Sequence, residues 1–142
     1  MPMGPGPIAF AAFVGVKFVG YTAAAYALRR AYPESKSSIA KVGAVRTTIG
    51  IVAGVAYGGL WILGTSHYHG PQSSFLEYSY FAGLFPIRIC EWFLLLHLYF
   101  DSRLRIRYKA VKTAVAGTIW SYCLDAIGVG AALVIPGGFW VC

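Results

Sequence analysis

The sequence predicts an all-α polytopic membrane protein, built as a bundle of four transmembrane helices. The first observation is composition, since 58% of the 142 residues are hydrophobic and only 12% are charged. A soluble domain of this length carries more charge and shorter apolar runs. The second is four apolar stretches, each close to the ~20 residues that cross a bilayer. The third is the placement of basic residues, which lie mainly in two of the connections.

The four predicted spans cover about residues 8–28, 42–63, 80–100 and 114–135. Pro33 blocks continuation of the first span, and a glycine- and proline-containing segment at 64–71 ends the second. Pro86 lies inside the third span, where a proline usually kinks a membrane helix. Little else remains along residues 1–142, so we expect a single transmembrane domain with any chemistry inside the membrane or at its surfaces.

The net charge of +7 raises the question of nucleic-acid binding, but the distribution of charge argues against it. Lys and Arg are concentrated at 29–46 and 103–112, whereas the 64–78 connection contains neither. This pattern follows the positive-inside rule. We therefore expect the basic loops 29–46 and 103–112 on the cytoplasmic side of an inner membrane, both termini outside, and anionic lipid headgroups rather than nucleic acid beside the loops.

Charged residues near the middle of three spans form the main candidate site. With a rise of about 1.5 Å per residue, Lys17, Arg88, Glu91 and Asp125 fall in one layer a few ångströms thick. Each would cost about 2.5–3.5 kcal/mol at a helix centre if left uncompensated. They must therefore pair, lose charge or face a wet cavity. Either a polar site for protons, ions or a small solute or a structural ion-pair lock satisfies this requirement.

The second span repeats a glycine every fourth residue at Gly50, Gly54 and Gly58. This spacing places them on one helix face and predicts close helix packing, either within the chain or against another subunit. Together with the short connections, it favours a homo-oligomer or a larger membrane complex.

Other polar residues give weaker indications. His97 and Asp101 lie one turn apart and could form an inner step of a proton path, although an interfacial pair at a helix end is the preferred explanation. His67 and His69 are weak metal candidates because no pattern fixes a third ligand. No motif of nucleophilic or metallohydrolase catalysis is present, so we predict no catalytic residues, no metal and no cofactor.

The leading interpretation is a small integral membrane transporter or channel-like protein with the charged layer as its site. Glu91 and Asp125 would respond to protons or cations, and Lys17 and Arg88 would balance them. One alternative is a non-catalytic subunit of a larger membrane complex. Another is a membrane enzyme acting on a lipid-like substrate, which no motif supports.

Overall fold

The structure, a computed structural model, describes residues 7–35, 37–66, 74–101 and 107–132. It contains four α-helices within these ranges: α1 over Pro7–Ala31, α2 over Ile39–Thr65, α3 over Ser74–Tyr99 and α4 over Arg107–Ala132. The chain is all-helical, as the sequence predicts. At the basic ends, α1, α2 and α4 extend beyond the predicted spans, because polar residues there continue the helix beyond its apolar part. By contrast, α3 begins at Ser74, before the predicted start at 80, and ends at Tyr99. The predicted location of both termini concerns residues outside the described ranges.

The four helices pack in a ring, in which each helix contacts the next in sequence and α4 also packs beside α1. Short connections between successive helices give antiparallel neighbours, as in an up-down-up-down bundle. The two basic connections therefore lie at one end of the bundle, and the 66–74 connection lies at the other. The α1–α4 contact is the least extensive of the four, which leaves a groove between these helices.

Three helices contain segments long and apolar enough to cross a membrane: Phe10–Ala31, Ile39–Thr65 and Tyr78–Tyr99. Within its described residues, α4 does not reach this level. The first turns of α4 carry Arg107, Lys109 and Lys112, and Asp125 lies further along. The apolar residues 133–135 of the predicted fourth span lie outside the described part of the chain. Three apolar spans indicate membrane association, and the fourth span stays a prediction.

Charged side chains lie inside the bundle, and many large apolar side chains lie on its outer surface. Lys17, Arg46, Arg88, Glu91 and Asp125 are all buried. Large apolar side chains are exposed along the helices, among them Val19, Val55, Leu60, Ile62, Leu98 and Ile127. Water would penalise the exposed apolar surface, whereas acyl chains would cover it at no such cost. The distribution of side chains therefore agrees with the composition in indicating a lipid environment.

Hydrogen bonds at the basic end join the α1–α2 connection to the end of α3. The hydroxyls of Ser35 and Ser37 both donate to the carbonyl oxygen of Tyr99, at 2.7 and 3.2 Å. The Lys109 ammonium of α4 donates to the Ala31 carbonyl at 2.5 Å. These bonds satisfy carbonyl groups that a helix C-terminus leaves without intrahelical donors. They fix the helix ends above an apolar core that includes Leu95, Leu96 and Ala114.

The helix α3 continues through Pro86, which cannot donate a hydrogen bond to the carbonyl of Ala82. The neighbouring helices supply donors just before that point. Tyr57 of α2 donates to the Tyr80 carbonyl at 3.1 Å, and Tyr122 of α4 donates to the Phe81 carbonyl at 3.2 Å. Both bonds go to carbonyls that precede that of Ala82, so they tie this stretch of α3 to α2 and α4 at the level of the proline.

Close backbone approach between α1 and α2 occurs at Gly43. A Cβ atom there would lie 3.1 Å from the backbone nitrogen and Cα of Thr22. By contrast, a Cβ at Gly58 would meet only the Tyr80 hydroxyl at 3.9 Å, and one at Gly50 only the Arg46 Nη1 at 3.2 Å. The glycine-rich face of α2 therefore makes no such tight backbone contact at Gly50 or Gly58 within the described residues.

Candidate functional site: a buried ion-pair cluster

The Asp125 carboxylate links three helices, because it lies on α4 and forms ion pairs with side chains of α1 and α3. Its Oδ1 atom lies 2.5 Å from the Lys17 ammonium of α1, and its Oδ2 atom accepts a hydrogen bond from the Arg88 guanidinium of α3. All three side chains are at least nine-tenths buried. The Arg88 guanidinium also lies over the ring of Tyr122, 4.6 Å from its centroid. One carboxylate thereby compensates cations from two other helices.

Glu91 pairs with Arg46, which lies both in the basic stretch 29–46 and within the predicted second span 42–63. Its Oε2 atom lies 2.7 Å from Nη2 of Arg46, and the Arg46 side chain is 1% exposed. Although Arg88 is only three residues from Glu91 on α3, the two point to different partners. Arg46 is not a loop residue, because α2 begins at Ile39 and places Arg46 two turns inside the helix. The predicted span 42–63 already includes Arg46, but the apolar run does not show that this side chain turns into the bundle.

Two aromatic rings hold the Arg46 guanidinium. Its Cζ atom lies 4.7 Å from the ring centroid of Tyr21 and 5.0 Å from that of Trp92. The Tyr21 and Trp92 rings themselves meet edge to face, with centroids 6.1 Å apart. Stacking on aromatic faces suits the planar, weakly hydrated guanidinium better than an ammonium. The absence of a side chain at Gly50, one turn along α2, leaves room for Nη1.

The hydroxyl of Ser121 on α4 forms hydrogen bonds with side chains from the other three helices. It accepts from the Trp92 indole at 3.1 Å, from the Tyr21 hydroxyl at 3.3 Å and from Arg46 Nη2 at 3.4 Å. It also donates to the Gly117 carbonyl one turn earlier, at 3.0 Å. A hydroxyl has only two lone pairs, so three donors compete for two acceptor positions. Side chains from all four helices thus meet at one oxygen atom.

The charges form two adjacent levels of the same bundle. Lys17, Arg88 and Asp125 make the level nearer the 66–74 connection, and Arg46 with Glu91 makes the level nearer the basic connections. Breaking one buried pair by removing a partner costs about 3–5 kcal/mol, because the remaining charge stays buried. The two sets of ion pairs therefore contribute to holding the four helices together.

The chemistry available to the cluster is proton or cation exchange at its carboxylates. The Glu91 side chain is 10% exposed and that of Asp125 is 7% exposed, so the two carboxylates are the most accessible of the paired groups. Arginine keeps its proton in proteins, whereas carboxylates and lysine can change charge on burial. Protonating a carboxylate would remove one half of its pair and weaken the contact between two helices.

The remaining candidates lie away from the cluster. His97 is exposed on α3, and Asp101 follows the end of that helix, where its backbone N–H bonds the Leu96 carbonyl at 2.8 Å. No contact among the described residues joins His97 to Glu91. His67 and His69 lie outside the described residues. Within the described ranges, no three His, Cys, Asp or Glu residues are grouped so that they could hold a metal ion.

Four members of the site were not predicted from the sequence: Arg46, Tyr21, Trp92 and Ser121. A usable signal was present for Arg46, because it lies four residues before Gly50 and so continues the glycine face of α2. Ser121 precedes Asp125 by four residues, so it occupies the same face of α4. Tyr21 has the same spacing from Lys17 on α1. Aromatic residues are so frequent in this chain that Trp92 carried no distinguishing pattern.

Comparisons with known proteins give the cluster no precedent. No protein-family model matches the sequence, no curated protein is significantly similar to it, and no solved structure matches its fold significantly.

Proposed function

We propose that the protein is a small integral membrane transporter in which Glu91 and Asp125 couple proton or cation uptake to a rearrangement of the helices. All four helices would span an inner membrane, with the two basic connections on the cytoplasmic side. The observation that carries the proposal is the pairing itself. Each buried carboxylate is held by a cation from another helix, so its charge state determines whether those helices attract each other.

The α1–α4 contact is the part of the bundle that such a change would affect most. Lys17 and Asp125 form an ion pair across it. The same contact is the least extensive of the four, so fewer other interactions hold α1 and α4 together. Neutralising Asp125 would remove the attraction to Lys17 and let the helices separate towards the groove. A switch of this kind requires two states that differ in the pairing of a few charges.

Proton flux into proteoliposomes tests the proposal. Purified protein is reconstituted into vesicles containing a pH-sensitive dye, and an external acid pulse is applied. We expect wild-type protein to acidify the interior and Glu91→Gln to abolish this flux, because glutamine cannot bind and release a proton. Glu34→Gln, the same change at an exposed position of the α1–α2 connection, should leave the flux unchanged.

Far-UV circular dichroism and gel filtration of Glu91→Gln show whether the variant is folded. Glu91→Asp keeps an ionisable carboxylate and should retain part of the flux. Equal flux in wild type and in folded Glu91→Gln would contradict the proposal.

A non-catalytic subunit of a larger membrane complex is the second candidate. The observation that favours it is the completeness of the pairing, since both described carboxylates of the cluster already have cationic partners within the chain. An ion-pair lock needs nothing more. Native purification separates the candidates: a stoichiometric complex with other polypeptides supports a subunit, and a monomer or homo-oligomer with proton flux supports a transporter.

A further inference from the structure

An apolar groove of about 480 Å³ runs along the outer side of the α1–α4 contact. Small side chains line it, including Ala23, Ala27 and Ala31 of α1 and Ala116 of α4. The indoles of Trp92 and Trp120 complete the lining. The volume falls within the range of small-molecule sites in proteins. The groove is therefore large enough for a ligand and has almost no polar group along its length.

One end of the groove carries positive charge. Lys112 belongs to the lining and is exposed, and it makes no hydrogen bond or ion pair to another described side chain. Lys109 lies beside the same end, where its ammonium donates to the Ala31 carbonyl. Arg29 and Arg30 occupy the last turn of α1 at this level, but they line a separate pocket with Tyr26 and Ile39, outside the groove. An apolar groove with cations at a single end matches an amphipathic anion with one hydrocarbon tail in the groove.

The dimensions of the groove agree with an acyl chain and disagree with a helix. From Ala23 to Ala31 the groove is about 12 Å long, at a helical rise of ~1.5 Å per residue. One leaflet of the hydrocarbon core is about 15 Å thick. A helix with a diameter of ~10 Å needs about 120 Å³ per residue, so the groove could admit only about one helical turn.

We propose that this groove binds one acyl chain of an anionic phospholipid, with the lipid phosphate beside Lys112. The inference rests on membrane insertion of the bundle, which the proposed function also requires, but not on transport. The lipid chain would lie against Trp120 and reach the Trp92 indole. Phosphate oxygens would accept hydrogen bonds from the Lys112 ammonium, which supplies the attraction to the anionic headgroup.

Fluorescence quenching by brominated lipids tests the proposal, because bromine on an acyl chain quenches tryptophan on contact. Trp61→Phe/Trp140→Phe protein leaves only Trp92 and Trp120, which both line the groove. It is reconstituted into vesicles of phosphatidylcholine that contain the same mole fraction of brominated phosphatidylglycerol or brominated phosphatidylcholine. At low ionic strength we expect about five-fold preferential association of the anionic lipid, the factor that one lysine near an anionic headgroup contributes.

Two further substitutions are made in the same background. Lys112→Gln should reduce the preference about five-fold, to near one. Lys41→Gln, at another exposed lysine near the basic end but outside the groove lining, should leave it unchanged. Ala27→Phe fills the groove and should lower the quenching by both lipids.

Equal quenching by the two lipids, or a preference that Lys112→Gln does not change, would overturn the proposal. Low quenching by both lipids in flotation-purified vesicles would mean that a second copy of the chain covers the groove, which also overturns it. Protein that does not float with the vesicles would contradict membrane insertion itself. Absence of proton flux with headgroup-selective quenching would contradict only the transport proposal.

Discussion

Asp125→Asn is the substitution that the cluster should tolerate least. Asparagine keeps the size of the side chain but removes the charge shared by Lys17 and Arg88. Because Arg88 cannot lose its proton, leaving it uncompensated should cost about 3–5 kcal/mol. Lys17 can deprotonate, which limits its share to about 2.5–3.5 kcal/mol. The expected loss in the free energy of unfolding is therefore about 5.5–8.5 kcal/mol.

Glu91→Gln provides the internal comparison for this value. Glu91 has a single ion-pair partner, Arg46, and that guanidinium keeps its hydrogen bond to Ser121 and its aromatic neighbours. We expect a loss of about 3–5 kcal/mol, close to half of that for Asp125→Asn. Glu34→Gln, at an exposed carboxylate, should change stability by less than about 0.5 kcal/mol.

The assay is reversible unfolding of purified protein in mixed micelles by titration with dodecyl sulfate, followed by far-UV circular dichroism. Because the wild-type free energy is expected at about 5–15 kcal/mol, Asp125→Asn should unfold at a much lower dodecyl sulfate fraction than wild type, and at the start of the titration if the wild type lies near the lower end of that range. Lys17→Met/Arg88→Met/Asp125→Leu removes the whole group of charges and should recover stability, since no charge remains uncompensated. A loss for Asp125→Asn no larger than that for Glu91→Gln would refute the shared-acceptor reasoning.

Two further predictions use the same titration. Gly117→Ala should destabilise the protein by about 1–3 kcal/mol, because its Cβ would overlap the Trp92 indole. Gly59→Ala, where a Cβ meets nothing within 4 Å, should be neutral or slightly stabilising. A similar loss of stability at both glycines would contradict the close contact between Gly117 of α4 and the Trp92 indole. Ser121→Ala should cost about 1–3 kcal/mol, because buried donors lose their acceptor. Thr48→Ala, which removes an exposed hydroxyl, should cost less than about 0.5 kcal/mol, and equal losses would argue against a central role for Ser121.

The number of helices and their approximate positions could be predicted from the sequence. Crossing hydrocarbon requires long apolar helices, so helix number and approximate position can be read from hydropathy. The fourth helix shows where this rule weakens, because its inner face carries Thr118, Ser121 and Asp125, all of them buried. Polar groups that pair inside a bundle lower the apparent hydropathy of a helix that is nevertheless packed against its neighbours.

The position of each charged residue along its helix could also be predicted, and it placed Lys17, Arg88 and Asp125 at one level of the bundle. Pairing could not be predicted, because the choice of partner depends on how each helix is rotated about its axis. Successive residues of a helix are 100° apart around its axis, so a small error in the predicted rotation of a helix makes a side chain face a different neighbouring helix. Glu91 illustrates this, since its partner lies on α2 rather than three residues away on α3.

The sequence by itself determined that this chain is helical, rich in apolar spans, and charged at a depth where charge must be compensated. Only the tertiary structure decided that Arg46 belongs to the interior, where Glu91, two aromatic rings and the Ser121 hydroxyl surround it. The physical reason is that mean hydropathy averages over a window of residues and does not record on which side of the helix each side chain lies. A cation two turns from a helix end can extend to the lipid headgroups or turn inward, and packing of the other three helices selects between the two.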